Sequence, residues 1–195
     1  FVYHGSSTGL SMSAAWSVES DLASAEMGRS VGTAGDVNGD GYGDVIVGVP
    51  LYDNGQADEG RVLVYHGSAT GLSTTAAFSI ESDQASAELG RVATTAGDVN
   101  GDGFADVLIG APLFDNGQTD EGRAWVYQGS AAGLVATAAW SVESDQAAAE
   151  LGRSGAAAGD VNGDGFSDVI IGIPKYDGTL IDEGRAALYL GAGDG

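Results

Sequence analysis

Residues 36–44 read DVNGDGYGD and run straight into the apolar stretch VIVGVP at 45–50. Oxygen-bearing side chains occupy the first, third, fifth and ninth places, Asp36, Asn38, Asp40 and Asp44, with glycines between them. Asn-Gly and Asp-Gly are ordinary turn formers, so the bland reading is a hairpin turn. A turn needs only one such dipeptide, whereas three carboxylates within nine residues repel one another unless something neutralises them. A hard cation does so: calcium takes about six to eight oxygens at about 2.3–2.6 Å. A loop of alternating ligands with Gly41 at its sixth place wraps such an ion without steric conflict. Tyr42, at the seventh place, offers its backbone carbonyl. Magnesium, which keeps its waters, suits the set less well.

The spacing matches the first half of an EF-hand loop and then departs from it. Position twelve is Val47, where an EF-hand needs a bidentate Glu, and the flanks read as strand. The ninth-place Asp is therefore expected to complete the ligand set, in a loop that joins two strands.

The same pattern returns as DVNGDGFAD at 98–106 and DVNGDGFSD at 160–168, a period of 62 that also superposes Trp16, Phe78 and Trp140, and Arg61, Arg123 and Arg185. A fixed period of this length means one supersecondary unit stacked on itself. Within a unit four short segments rich in Val, Ile, aromatic or small residues are bounded by Gly, Asn, Asp or Pro: 76–83, 90–97, 106–112 and 122–129. Each predicts a strand. The segment SDQASAELG at 82–90 is too short for a helix and predicts a loop with one turn. Four-stranded antiparallel units in series predict an all-β chain of β-propeller blades, because a lone four-stranded sheet cannot cover both its faces. A parallel β-helix has much shorter rungs.

Composition narrows the partners. Twenty-eight Asp and Glu against seven Lys and Arg give a formal charge of −21, which argues against nucleic acid and anionic membrane. There is no cysteine, hence no disulfide and no thiolate chemistry. No apolar run approaches the roughly 20 residues of a membrane helix, so membrane insertion is not expected. The chain opens at Phe1 without Met or a signal peptide, as if processed or cut from something longer.

These residues resemble the FG-GAP repeats of the integrin α-subunit N-terminal β-propeller and of bacterial secreted and surface proteins. The FG position is MG at 27–28 and LG at 89–90 and 151–152; the GAP position is GVP at 48–50, GAP at 110–112 and GIP at 172–174. The resemblance covers nearly the whole chain, 1–195, as repeats at about 1–62, 63–124 and 125–186 with a closing strand at 187–191. It implies calcium sites, about one per repeat, three per chain. The ligands would be Asp36, Asn38, Asp40, Tyr42 (carbonyl) and Asp44; Asp98, Asn100, Asp102, Phe104 (carbonyl) and Asp106; and Asp160, Asn162, Asp164, Phe166 (carbonyl) and Asp168. The family often carries Asp where Asn38, Asn100 and Asn162 stand, which implies weaker binding rather than none.

Family propellers close with about seven blades, and here there is sequence for three. The opening FVYHG matches LVYHG at 63–67, so the N-terminal piece is expected to donate a fourth strand, around Ala14–Glu19, to a last blade in its own chain or a neighbour's. Two copies joined head to tail would make six blades; the alternative is a fragment of a longer array, although the divergent tail GAGDG suggests that the array ends near Gly195.

Other recurrent residues read as structural. His4 and His66 are replaced by Gln128 in the third copy, which speaks against catalysis. No Ser, His and acid set recurs. Trp16, Phe78 and Trp140 are expected to pack between blades rather than stack on sugars. The turns DNGQADEGR (53–61), DNGQTDEGR (115–123) and DGTLIDEGR (177–185) end in an Arg expected to pair with a carboxylate. The resulting expectation is a non-enzymatic, calcium-binding propeller that mediates extracellular or cell-surface adhesion or protein–protein contact. Its alternatives are a carbohydrate-binding propeller and an accessory domain of a larger secreted enzyme. The ligand, protein or glycan, is not named by the sequence.

Overall fold

The computed structural model describes residues 1–193, so the last two residues of the GAGDG tail lie outside it. The described residues form strands and turns with no helix, and hence no helix long and apolar enough to cross a membrane. Thirteen strands follow in order: β1 (Gly5–Ser6), β2 (Gly9–Leu10), β3 (Ser30–Gly35), β4 (Asp44–Val49), β5 (Arg61–Tyr65), β6 (Phe78–Glu81), β7 (Val92–Gly97), β8 (Asp106–Ala111), β9 (Arg123–Tyr127), β10 (Trp140–Glu143), β11 (Ser154–Gly159), β12 (Asp168–Ile173) and β13 (Arg185–Tyr189). They pair as meanders, β3-β4-β5-β6 and β7-β8-β9-β10, with a three-stranded sheet β11-β12-β13. All neighbours are antiparallel. These are the blades; their innermost strands β3, β7 and β11 pack against one another in sequence. Each blade begins halfway through a sequence repeat, so the expected boundaries at 62/63 and 124/125 fall inside β5 and β9.

The middle strands of the first two blades are apolar on both faces because each of those sheets is covered on either side. In the first blade Ile46, Val62 and Val64 face the second blade and pack with Val107, Ile109 and Tyr127. Val47, Val49, Leu63 and Tyr65, on the other face, pack with Trp16 and Val18 of the N-terminal segment. The period-2 alternation of strand side chains thus splits each blade between two cores. Leu108 and Val126 of the second blade, with Leu151 of the crossing segment, join Val169, Ile171 and Ile173 of the third. Burying each such side chain contributes about 1.5–3 kcal/mol.

The FG and GAP glycines explain themselves at the contact between blades. A Cβ on Gly48 would collide with the carbonyl oxygen of Gly90, and one on Gly110 with that of Gly152. The amide of Gly90 in turn donates to the carbonyl of Gly110 at 3.1 Å within its own blade. Backbone thus meets backbone with no room for a side chain, which is a packing requirement and not a matter of flexibility.

Within its own chain the N-terminal segment departs from expectation. It does not close the third blade: Val2 bridges Trp16, the register that pairs Val64 with Phe78 one repeat later. Residues 1–16 are therefore the outer half of a further blade, packed on the first through Trp16 and Tyr65 at 4.9 Å between ring centroids. A local hairpin partner fourteen residues away costs less loop entropy than a strand at the far end of the chain. The ring is open, with Ile170 and Leu188 exposed on the outward face of the third blade. The large aromatics do pack between blades: Phe78 meets Tyr127 at 5.6 Å, and Trp140 meets Tyr189 at 4.9 Å.

Candidate metal centres

Each acidic nonapeptide joins the first and second strands of a blade. A register shift just before it, between Thr33 and Gly35, Thr95 and Gly97, and Ala157 and Gly159, marks a β-bulge. The bulge glycines take φ of 85, 79 and 74°, the left-handed region that turns the chain out of the sheet.

The side chains then organise the loop backbone. In the second loop Asp98 Oδ1 accepts from Gly101 N (2.7 Å) and Asp102 N (3.1 Å), and its Oδ2 accepts from Gly103 N (2.9 Å). Asp102 Oδ1 accepts from Phe104 N, and Asn100 Nδ2 donates to Asp102 Oδ2, each at 2.9 Å. The third loop repeats this set through Asp160, Asn162 and Asp164. In the first, Asp36 accepts from Asp40 N and Gly41 N, Asp40 accepts from Tyr42 N and Asn38 Nδ2, and Asn38 Nδ2 also lies 3.4 Å from His66 Nδ1. The three donor residues at the first, third and fifth places are thus gathered on each loop.

The ninth-place Asp is placed differently. Asp44, Asp106 and Asp168 are buried under their loops, at 1, 0 and 0% exposure. Asp106 Oδ2 accepts from Val99 N at 2.8 Å and its Oδ1 from Gly129 N at 2.9 Å. Asp44 takes Val37 and Gly67 N–H groups, and Asp168 takes those of Val161 and Gly191. One carboxylate thereby ties together the loop, the second strand and the exit of the third strand. Burial pushes the carboxyl of Asp106 up to about 6; its two N–H donors oppose the shift, and the nearby charges of Asp102 and Asp98 add to it. Asp160 is instead held below its ordinary value, chiefly by the Gly165 N–H.

The donor set fits a hard cation. Every side chain in it offers oxygen and three of the four are carboxylates; the charges of Asp98 and Asp102 add to the rise that burial chiefly gives Asp106. The carbonyls of Tyr42, Phe104 and Phe166 belong to the same loops.

A second acidic cluster escaped the sequence reading. At the opposite end of the sheet, the turn between β4 and β5 brings Glu59 to Glu81 and Asp83, and in the next blade Glu121 meets Glu143 and Asp145. Two of the three expected Arg pairs are there: Arg61 lies 3.4 Å from Glu81 and Arg123 lies 3.0 Å from Glu143, whereas Arg185 lies over the ring of Tyr176, 5.3 Å from its centroid. Glu59 and Glu121 themselves are fully buried. Burial raises the carboxyl of Glu59, the Asn54 N–H lowers it, and the charges of Glu81, Asp83 and Asp53 raise it further. The signal was present as DEG recurring one short strand pair before ESD, at 58–60 and 81–83.

Antiparallel four-stranded blades in tandem, each with an acidic bulged loop between its first two strands, define a β-propeller repeat protein. The chain belongs to the FG-GAP repeat family, whose model matches residues 27–65, 90–127 and 151–189. It is 31% identical over 163 residues to integrin alpha-4 of Xenopus laevis, covering 82% of this chain and 15% of that protein. Integrin alpha-V of Gallus gallus is 30% identical over 193 residues, 94% of this chain and 18% of the relative. Phosphatidylinositol-glycan-specific phospholipase D of Bos taurus is 34% identical over 171 residues, 82% of this chain and 20% of that protein. The chain therefore spans a fifth or less of the length of these relatives.

Proposed function

We propose that the chain is a calcium-loaded, non-enzymatic interaction module that works outside the cell, as part of an adhesion or protein-recognition surface. The observation that carries this reading is the threefold repetition of one oxygen-donor loop at one edge of successive blades, in a chain whose relatives include integrin α subunits. Asp36, Asn38 and Asp40 and their counterparts would hold the ion from the loop, with Asp44, Asp106 and Asp168 reaching it from below. The cation supplies positive charge where three carboxylates repel. It performs no chemistry, and its binding free energy becomes folding free energy. Millimolar calcium outside the cell suits loops softened by an Asn at the third place.

The packing of Trp16, Phe78 and Trp140 between blades leaves the lectin reading without the aromatic platform that would favour it. The resemblance to a phospholipase D favours a second reading, in which the same module accompanies a catalytic domain. The test of the main reading is thermal unfolding of the wild type and of D40N/D102N/D164N in millimolar calcium and in chelator. Calcium is expected to raise the wild-type melting temperature, and the triple variant should lose most of that rise. A triple variant that responds like wild type overturns the assignment.

A further inference from the structure

The Glu59 and Glu121 clusters lie at the ends of the blades away from the acidic loops. β4 runs from Asp44, under the loop, to Val49, which leads into the turn that carries Glu59. Six residues at about 3.3 Å each separate the two ends by roughly 20 Å. The clusters are therefore independent of the loop sites.

Each is assembled from two chain segments that are distant in sequence. Glu59 comes from the turn between β4 and β5, Glu81 from the end of β6, and Asp83 from the connector to the next blade. One carboxylate oxygen from each lies within 4.8 Å of the others, and Glu121, Glu143 and Asp145 repeat the arrangement. Oxygens bound to one hard cation at about 2.3–2.6 Å sit no more than about 5 Å apart, so the spacing fits. Acidic clusters are common without an ion, but here a buried atom is left over. Glu59 Oε1 accepts from Asn54 N at 2.6 Å, while its Oε2 is buried with no partner. Glu121 Oε1 accepts from Asn116 N at 2.7 Å, and its Oε2 is likewise buried and alone. A buried carboxylate oxygen without a partner is costly.

The charges also balance. Arg61 and Arg123 offset one of the three carboxylates in each cluster, leaving the charge that one divalent cation neutralises. Glu183 in the third repeat is the contrast. It is exposed, its two oxygens accept from Thr179 N and Leu180 N, and among the described residues no pair of acids converges on it.

We propose that Glu59, Glu81 and Asp83, and again Glu121, Glu143 and Asp145, form a second class of site for a hard divalent cation, two per chain. The ion clamps the turn between the second and third strands to the segment that crosses to the next blade. That segment already runs beside the turn, with Leu89 N donating to Glu59 O at 3.1 Å and Leu151 N to Glu121 O at 3.0 Å.

The test is equilibrium dialysis of the full chain against radioactive calcium chloride at neutral pH and low salt, comparing wild type with E59Q/E121Q and with D83N/D145N. Both double variants are expected to bind two fewer calcium ions per chain than wild type. The loop sites cancel in that difference, so the result stands whether or not the loops are occupied. Asp83 and Asp145 adopt φ of 56 and 54°, which Asn tolerates, and both are exposed, so the second variant serves if the first fails to fold. Calcium binding by D83N/D145N equal to that of wild type overturns the proposal, as does an unchanged count in a folded E59Q/E121Q.

Discussion

Replacing Asp106 with Ala removes a carboxylate that holds two backbone N–H groups, Val99 at 2.8 Å and Gly129 at 2.9 Å, in a position with no solvent exposure. Hydrogen bonds to a charged acceptor contribute about 1.5–3 kcal/mol each, and burial and repulsion from Asp98 and Asp102 offset part of the sum, which leaves about 3 kcal/mol. For a chain of this size that is a fall of about 6–12 °C in melting temperature. The loss is expected in chelator, because the two N–H groups are held with no ion needed. Asp102→Ala offers the comparison: its oxygens take only partners within its own loop, Phe104 N and Asn100 Nδ2, so in chelator it should change the melting temperature by no more than about 2 °C. Circular dichroism melts of the two variants in chelator decide the matter. If Asp106→Ala melts within 2 °C of wild type, the ninth-place carboxylate is not the structural tie described here.

Asp106 also sets a pH dependence. Its folded-state carboxyl titrates at about 6 against an ordinary 3.8, so the folded chain holds the proton more tightly. Stability in chelator should therefore fall as pH rises through that window, and Asp106→Asn should flatten the slope; an unchanged slope refutes the assignment. Gly48→Ala places a methyl group against the Gly90 carbonyl, where no rotamer change relieves it, and should destabilise by about 3 kcal/mol or more in urea unfolding. A variant as stable as wild type would remove the packing account of the FG and GAP glycines.

The blades were legible because their signals are local and repeated. Val45–Val49 and Val107–Ala111 are apolar without interruption, a consequence of a neighbouring blade on each face, and the loops between them carry the acids. The acidic loop was legible for the same reason, since its four oxygen-bearing side chains lie within nine residues. The structural tie made by Asp44, Asp106 and Asp168 was not, because their partners Gly67, Gly129 and Gly191 lie 23 residues onward, across a strand pair. Glu59 read as one more acid in a polar turn. Only the β5–β6 register, which sets Arg61 opposite Glu81, brings the two acidic segments together and encloses Glu59. Within its own chain the N-terminal strand pairs with Val2 rather than with the third blade, because repeat matching shows what a strand is equivalent to and chain proximity decides what it pairs with.

The most direct test of the central claim is an anomalous difference map from crystals grown in millimolar calcium. The account predicts a peak in each acidic loop within about 2.3–2.6 Å of oxygens of the first, third, fifth and ninth residues and of the seventh carbonyl. Well-ordered loops with no peak above noise, at calcium concentrations that leave the melting temperature unchanged, would contradict it and return all three nonapeptides to plain turns.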